Sequence, residues 1–496
     1  MFSIWDWAVV FVYFAAMAGV GVYFSRKNKN FKDFMFGGGN MPWLAVGISL
    51  IATSVSANTF LGYPAEAYGN DMRLLMLNFG SLTAIVIVGV FFIPRFRASG
   101  TRSAYELLEI RFSRPVRRLA ASLYSCHLLF RMGMLIYGPS IVLMKMTGAP
   151  FWVAAVALSV FAMLYTSLGG IKAATTTDVI QFCIFFGGGI LCIYFCAKGV
   201  GSFTETWRLA AEAGKTRWLD FTFDPSSERN FLSAAVVYTV FEVAIRGCDQ
   251  QFVQRYLSTK DTRSANYSSL TSSLLGICVG VLFFTVGAFL YVYFQVAHVA
   301  AIPDLKVNEV LPWFIIHNLP IGVKGLLVAA ILAADMGALS SVLTALSNTT
   351  VVDLRARSRT DAEINLKNAR RWVLVWGLLG LGASFICALG TISILSKALF
   401  FTSLFIGPLL GLFLLAFLRP NLRPGAVMTA VFGGMATLLL FVKIPVLPEG
   451  MWTPLYPVAW TWNPLISMSA MLVIAQLLDW GMGRSGEHHN NTTTQQ

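Results

Sequence analysis

Charged residues are scarce in this sequence. Only 12% of the 496 residues are Asp, Glu, Lys or Arg, whereas 56% are hydrophobic. Soluble globular domains carry about 25% charged residues. The composition therefore excludes an ordinary soluble domain, and together with a mean hydropathy of +0.67 it indicates a polytopic membrane protein.

The sequence also lacks the short motifs that mark common enzyme classes. It contains no HExxH, no P-loop, no nucleophile elbow and no paired CxxC. Its seven cysteines fall in apolar segments, which is typical of packing residues and not of a disulfide framework or a zinc site. These absences predict that the protein is not an enzyme, has no cofactor and has no transition-metal site.

The net charge of +13 is distributed unevenly along the chain. Most of the 37 Lys and Arg residues lie in alternate short loops, one of them Arg255–Ser264, and this pattern sets the orientation of membrane helices. It predicts an amino terminus outside and a carboxyl terminus in the cytoplasm, in the cell membrane. The expected partner from this pattern is the bilayer, with no nucleic acid and no obligatory protein partner.

Thirteen apolar segments are long enough to cross a bilayer, which needs about 20 residues. They are 4–25, 41–69, 73–94, 119–147, 151–167, 176–198, 230–252, 267–296, 322–350, 371–390, 393–418, 425–443 and 459–480. We expect one transmembrane domain, 1–480, in which 4–25 is an extra amino-terminal helix and 425–480 holds two carboxyl-terminal helices. A polar cytoplasmic tail, 481–496, follows, and its composition predicts disorder from Gly486 onward.

The segment 41–69 differs from the other apolar segments because its centre is polar. Residues 47–68 read GISLIATSVSANTFLGYPAEAY, with several hydroxyls, an asparagine and a proline within one helix length. Such hydroxyls can bond back to their own helix, and small residues can simply pack closely. The alternative is a helix that breaks in mid-membrane, where freed carbonyls and helix ends hold an ion and a polar solute.

Arg131 lies in the middle of the apolar segment 119–147. An arginine at the centre of a membrane helix costs about 2.5–3.5 kcal/mol on insertion scales. A guanidinium binds a carboxylate through two parallel hydrogen bonds, so an anionic substrate would justify that cost. The alternative is a structural ion pair with Glu242, Asp249 or Asp335.

The other charged residues in apolar segments have simpler explanations. Glu242 stands four residues before Arg246, so the two share a helix face and can neutralise each other. Asp178 can serve as a first-turn residue at the start of 176–198, where the helix dipole favours a carboxylate. Asp335 lies in a segment rich in small and hydroxylated residues, where it could help to hold a hard cation or carry a coupling proton.

Five segments carry a family resemblance: IATSVSANTFLGYPAEAY, SAYELLEIRF, YTSLGGIKAATTTDVIQ, DQQFVQRYLSTKD and AADMGALSSVLTALSN. In this order and spacing the chain resembles the sodium/solute symporter family, and within it the branch that transports sialic acid and other organic anions. The resemblance implies an all-α, LeuT-type fold with inverted five-helix repeats, 41–198 and 230–418. It also implies a solute held beside two broken helices and imported by alternating access with sodium.

The resemblance further implies roles for individual residues. Arg131 would hold the substrate carboxylate, with additional substrate contacts from Ser54, Ser56, Thr59 and Asn78. A principal sodium site would use carbonyls of Ala52, Val55 and Ala334. A second sodium site would use Asp178, Ser340 and Ser341.

The principal sodium site departs from the family pattern, because two positions that carry hydroxyls in the family are Gly337 and Ala338 here. Such a site should hold sodium poorly unless water or Asp335 substitutes. Coupling through the second site alone, and coupling by a proton on Asp335, therefore stay open. Sialic acid is the first candidate solute. The alternatives are a proton-coupled or sodium-independent transporter of a small monocarboxylate or other organic acid, a passive channel or uniporter, and a receptor that has lost transport.

Overall fold

The structure is a computed structural model that describes residues 3–26, 31–299, 305–355, 366–388, 394–442 and 454–492. Within these ranges the regular structure is helical and contains no β-strand, apart from one isolated bridge between Met41 and Thr259. The prediction of an all-α protein is confirmed for the described chain.

Nineteen α-helices follow one another along the described ranges. Ten precede residue 230: α1 (Ile4–Ser25), α2 (Phe31–Phe36), α3 (Trp43–Ser54), α4 (Ala57–Gly69), α5 (Leu77–Ile87), α6 (Ile93–Ala98), α7 (Glu106–Arg111), α8 (Arg114–Thr147), α9 (Phe151–Val200) and α10 (Phe203–Glu212). Nine follow it: α11 (Tyr238–Cys248), α12 (Gln250–Ser258), α13 (Thr262–Tyr291), α14 (Val310–Asn318), α15 (Val323–Thr349), α16 (Leu366–Ala388), α17 (Ile394–Leu418), α18 (Pro424–Leu439) and α19 (Asn463–Thr492).

Eight helical stretches of the described chain are long and apolar enough to cross a membrane, and α3 with α4 makes a ninth if the bent pair is one span. All thirteen predicted segments contain helix. Their number as membrane spans stays a prediction, because the apolar helices Phe151–Ser167, Thr402–Leu418 and Pro424–Leu439 are shorter and the segment 230–252 is divided among several helical pieces.

Two helical stretches of the described chain are each interrupted by an extended residue. The first break follows α3, because Val55 is extended (φ −86°, ψ 138°), and α4 then leaves at 60° to α3. The second follows α11, because Asp249 is extended (φ −78°, ψ 125°), and α12 begins at Gln250. The broken helix predicted within 41–69 is therefore confirmed, and the second break agrees with the resemblance.

Two local expectations were wrong. The polar tail, expected to be disordered from Gly486, continues α19 as a helix to Thr492, and residues 493–496 lie outside the described ranges. Asp178, expected in a first helical turn, lies inside α9 well beyond its bend at Gly170. The bend needs glycine, because φ is +61° there and a Cβ would lie 2.6 Å from the carbonyl oxygen of Phe34. Helix capping therefore does not explain Asp178.

The helix α15 forms the centre of the molecule, and nearly all of its residues are buried. It packs against α1, α8 and α9, and its small residues let these neighbours approach closely. Both α3 and α12 also contact α15. The two helix breaks therefore lie beside the same buried helix.

Asp6 anchors α1 to the start of α15. Its Oδ1 accepts hydrogen bonds from the backbone N–H groups of Gly322 (2.7 Å) and Gly325 (3.1 Å), and its Oδ2 accepts one from that of Ser3 (2.9 Å). The first N–H groups of a helix have no partner within the helix, and the positive end of the helix dipole favours an anion there. Asp6 thus caps α15 from another helix.

We expect Asp6→Ala to lower the free energy of unfolding by about 1.5–3 kcal/mol, the range for hydrogen bonds to a charged group. The reason is that two N–H groups at the start of α15 lose their acceptor. Thermal unfolding of the purified protein in detergent measures the change. Asp6→Asn keeps an acceptor oxygen and should lose less, so equal losses in the two variants would contradict the capping role.

Candidate substrate and ion sites

A cavity of about 370 Å³ lies between the two helix breaks. Small-molecule sites in proteins range from about 300 to 1,000 Å³. Its walls come from both sides of each break and from α5, α8, α13, α16 and α17. The polar and charged lining residues are Ser54, Ser56, Thr59, Tyr63, Asn78, Ser81, His127, Arg131, Tyr238, Glu242, Arg246 and Thr402.

All five residues that the resemblance assigned to the substrate line this cavity. They are Ser54, Ser56, Thr59, Asn78 and Arg131. The structure brings them together from α3, the first break, α4, α5 and α8. Their contact with a solute stays a prediction.

Arg131 contacts both helix breaks. Its Nη2 donates a hydrogen bond to the carbonyl of Thr53 (2.9 Å), and its Nη1 lies 4.0 Å from Oδ2 of Asp249. Its side chain is 21% exposed, and this exposed part faces the cavity. Arg131 therefore pairs with Asp249, one of the alternatives from the sequence, and also presents positive charge to the cavity.

Asp249 is already held by other donors. Its Oδ1 accepts hydrogen bonds from the hydroxyl of Tyr124 and from the backbone N–H of Gln251 (2.7 Å), so it caps α12. The side-chain amide of Gln251 donates to Oδ2 (3.0 Å). A guanidinium has five N–H donors, and among the described residues Arg131 donates to Thr53 alone, so donors are left over for a solute carboxylate.

Glu242 and Arg246 form the ion pair that their spacing predicted. Arg246 Nε lies 2.5 Å from Glu242 Oε2, and the hydroxyl of Tyr238 donates to Oε1 (2.8 Å). Both members of the pair line the same cavity as Arg131. The spacing indicated the pair but not that its helix face is the cavity wall.

The predicted second sodium site contains a buried arginine of α12. Arg255, counted with an inward loop, lies in α12 and is 3% exposed. Its Nη2 donates to Oδ2 of Asp178 (3.1 Å) and to Oγ of Ser341 (2.6 Å). Ser340 donates instead to the carbonyl of Gly337 (3.1 Å). A guanidinium therefore supplies positive charge where the resemblance implied a sodium ion.

The residues of the predicted principal sodium site also lie together. Ala52, Val55 and Ala334 line a second cavity, of about 10 Å³, and Gln181 of α9 forms part of its wall. The neighbouring positions of α15, Gly337 and Ala338, carry no hydroxyl. Asp335 is buried but lines neither cavity. Its role as a proton or ion carboxylate stays a prediction.

The segment between α9 and α11 is tied to the end of α4. The Nζ of Lys215 donates to the carbonyls of Tyr68 (2.8 Å) and Asn70 (2.9 Å), where α4 ends. Asp220 accepts hydrogen bonds from the backbone N–H of Thr222 and from Arg73, and these bonds lower the pKa of Asp220 to about 2. The Asp220 carboxylate therefore stays ionised throughout the physiological pH range.

The geometry of two broken helices around a charged cavity agrees with the comparison to known proteins. The sodium:solute symporter family model matches residues 34–433. The chain belongs to this family. Family members are membrane transporters, so the chain is a multi-pass transporter and not an enzyme.

The chain is similar in sequence to two transporters and in structure to a solved symporter. It is 30% identical to the sodium/sialic acid symporter SiaT of Proteus mirabilis (strain HI4320), over 88% of this chain and 89% of the relative. It is 30% identical to the human sodium-coupled monocarboxylate transporter 1, over 90% and 75%. A solved Na⁺-coupled sialic acid symporter, in a substrate-bound outward-open state, matches with a TM-score of 0.84 and 27% identity over 96% of this chain and 98% of that chain.

Proposed function

We propose that this protein is a sodium-coupled symporter that imports a carboxylate-bearing solute by alternating access, with sialic acid as the first candidate. The observation that carries the substrate class is Arg131, a guanidinium that faces the cavity between two broken helices. A carboxylate fits it because two parallel, charge-assisted N–H···O bonds match the planar fork. Similarity to a sialic acid symporter in sequence and fold supports this choice.

The position of Arg131 explains how solute binding could drive a change of state. It contacts Thr53 at the first break and Asp249 at the second. A carboxylate bound to Arg131 would therefore act on both broken helices at once. Sodium at the carbonyls of Ala52 and Val55 would act on the same first break. Two ligands that both bind one conformation of this break more tightly favour each other's binding. This shared preference would couple the solute site to the sodium site.

The cavity walls favour a hydroxylated acid over a short monocarboxylate. Hydroxyl and amide groups of Ser54, Ser56, Thr59 and Asn78 surround the cavity of about 370 Å³. Ser54 and Asn78 already donate to the carbonyls of Leu50 and Leu75, and a hydroxylated solute offers partners for the hydrogen-bonding capacity that these side chains have left. Transport of a small monocarboxylate is the second candidate, because a sodium-coupled monocarboxylate transporter is among the relatives.

The proposed architecture is the LeuT-type fold with thirteen spans. The repeats are 41–198 and 230–418, within a transmembrane domain of 1–480, with the amino terminus outside and the carboxyl terminus in the cytoplasm. The two breaks support this division, because the first lies in the opening span of one repeat and the second in the opening span of the other.

Uptake into proteoliposomes tests the proposal. With an inward sodium gradient, we expect labelled sialic acid to accumulate above its external concentration. Choline in place of sodium should abolish accumulation, even with an imposed proton gradient, because the coupling ion is missing. Full uptake in sodium-free buffer would refute sodium coupling.

The same assay separates the other candidates. Accumulation of a short monocarboxylate without sialic acid would reassign the substrate. Equilibration without accumulation would indicate a channel or uniporter, because neither can concentrate its solute. Binding without movement, measured by thermal shift with sialic acid, would indicate a receptor.

A further inference from the structure

Gln181 lies where the principal sodium site lacks its hydroxyls. It projects from α9, is 2% exposed, and lines the small cavity with Ala52, Val55 and Ala334. The last carbonyls of α3 have no partner within the helix, because the helix stops at the break.

Two buried oxygens in this region accept no hydrogen bond from the described residues. They are Oε1 of Gln181 and Oδ1 of Asp178. The other ends of both side chains are engaged: Nε2 of Gln181 donates to the hydroxyl of Tyr13 (3.0 Å), and Oδ2 of Asp178 accepts from Arg255 (3.1 Å). Buried polar groups are nearly always satisfied, so two neighbouring bare oxygens indicate an ion or water between them.

Both oxygens point at the place where a side chain of residue 337 would lie. A Cβ built on Gly337 would be 2.6 Å from Oε1 of Gln181 and 3.0 Å from Oδ1 of Asp178. The 2.6 Å approach is shorter than real Cβ contacts and the 3.0 Å approach is tighter than most, so the end of the Gln181 side chain would have to shift. A serine at 337 and the amide of Gln181 in its present position therefore exclude each other. The amide oxygen occupies the neighbourhood from which a hydroxyl of α15 would reach the ion.

We propose that Gln181 Oε1 replaces the missing hydroxyl of α15 as a sodium ligand, with Asp178 Oδ1 beside it, so that the principal site survives Gly337 and Ala338. Amide and carboxylate oxygens are ligands that hard cations prefer, and transporters hold sodium against carbonyls of unwound helices. The contact with Tyr13 of α1 keeps the amide nitrogen away and the oxygen toward the ion. The inference rests on the proposed sodium coupling, but it concerns sodium binding without solute.

Sodium-dependent thermal stabilisation of the purified protein tests the inference without any solute. Sodium chloride is titrated against choline chloride at constant ionic strength. We expect Gln181→Ala to weaken the apparent sodium affinity by about tenfold or more, as loss of a supporting group at a metal site does. Gly337→Ser should also weaken the apparent sodium affinity, because the Cβ of the new serine displaces the oxygen of the Gln181 amide from the ion. The double variant Gln181→Ala/Gly337→Ser should bind sodium more tightly than either single variant, because the hydroxyl then has room.

Two further variants control the experiment. Gln254→Ala removes another buried glutamine, whose Nε2 bonds the carbonyl of Met35 (2.7 Å) and which lines neither cavity. It should lower the melting temperature and leave the sodium affinity unchanged. Gln181→Glu keeps an oxygen ligand and should retain sodium binding.

Three results would overturn the inference: wild-type sodium affinity in Gln181→Ala, equal loss in Gln181→Glu and Gln181→Ala, or a double variant no tighter than the single ones. The second result would mean that Gln181 acts through its N–H group alone. If sodium does not stabilise even the wild-type protein, the proposed coupling fails as well. If sodium stabilises the wild-type protein and the Gln181 variants equally, the role of Gln181 is refuted and the proposed sodium coupling is not.

Discussion

Arg131→Ala is expected to abolish uptake of the carboxylate solute while leaving a folded protein. The change removes the guanidinium that faces the cavity between the two breaks. A hydrogen bond to a charged group contributes about 1.5–3 kcal/mol. Loss of two such bonds should weaken solute affinity by about 100-fold or more. Solute-dependent thermal shift measures the affinity, and proteoliposome uptake measures the consequence.

The folding control for this variant follows from the surroundings of Asp249. Without Arg131, Asp249 keeps its hydrogen bonds from Tyr124 and Gln251. Sodium-dependent stabilisation measured without solute should therefore survive in Arg131→Ala. Arg131→Lys keeps the positive charge but loses the planar fork, so it should bind the solute with intermediate affinity. Unchanged solute affinity in both variants would remove Arg131 from the substrate site.

The first helix break could be predicted from the sequence, and the second could not. Residues 47–68 interrupt an apolar run with hydroxyls and a proline, and a break is one of two structures that this pattern favours. The break at Asp249 has no comparable cluster before it. An acidic residue there can equally end a span, and its position became an expectation only through the resemblance to the family.

Arg255 shows why a charge pattern can mislead. A basic residue at the end of an apolar segment is typical of a cytoplasmic loop. The chain instead continues as the helix α12, where Arg255 contacts Asp178 of α9 and Ser341 of α15. These three residues lie far apart in sequence, so their meeting depends on the packing of three helices. No local pattern contains that information.

Gln181 illustrates a second limit. It is an uncharged residue in an apolar helix, where an amide attracts no attention, and the absence of hydroxyls at Gly337 and Ala338 indicated only a weakened site. The Gln181 amide approaches Gly337 because α9 packs against α15. The missing hydroxyls of α15 and the amide of α9 lie far apart in the sequence, and only the packing of the two helices brings them together.

Arg255→Met is expected to lower the stability of the protein by about 3–5 kcal/mol, the usual effect of removing one partner of a buried ion pair. Arg255 and Asp178 are 3% and 0% exposed, and the variant leaves the Asp178 carboxylate in the interior without its cation. Thermal unfolding in detergent measures the loss. Arg208→Met, in an exposed pair with Glu205, is the control and should change the melting temperature little.

A double-mutant cycle tests whether the pair itself causes this loss. Asp178→Asn/Arg255→Met removes both charges, so its destabilisation should be smaller than the sum of the two single variants. Simple additivity would show that Arg255 stabilises α12 through its bonds to Ser49 and Ser341 and not through Asp178. Non-additivity would mean that Arg255 balances the charge of Asp178 in the absence of a second sodium ion.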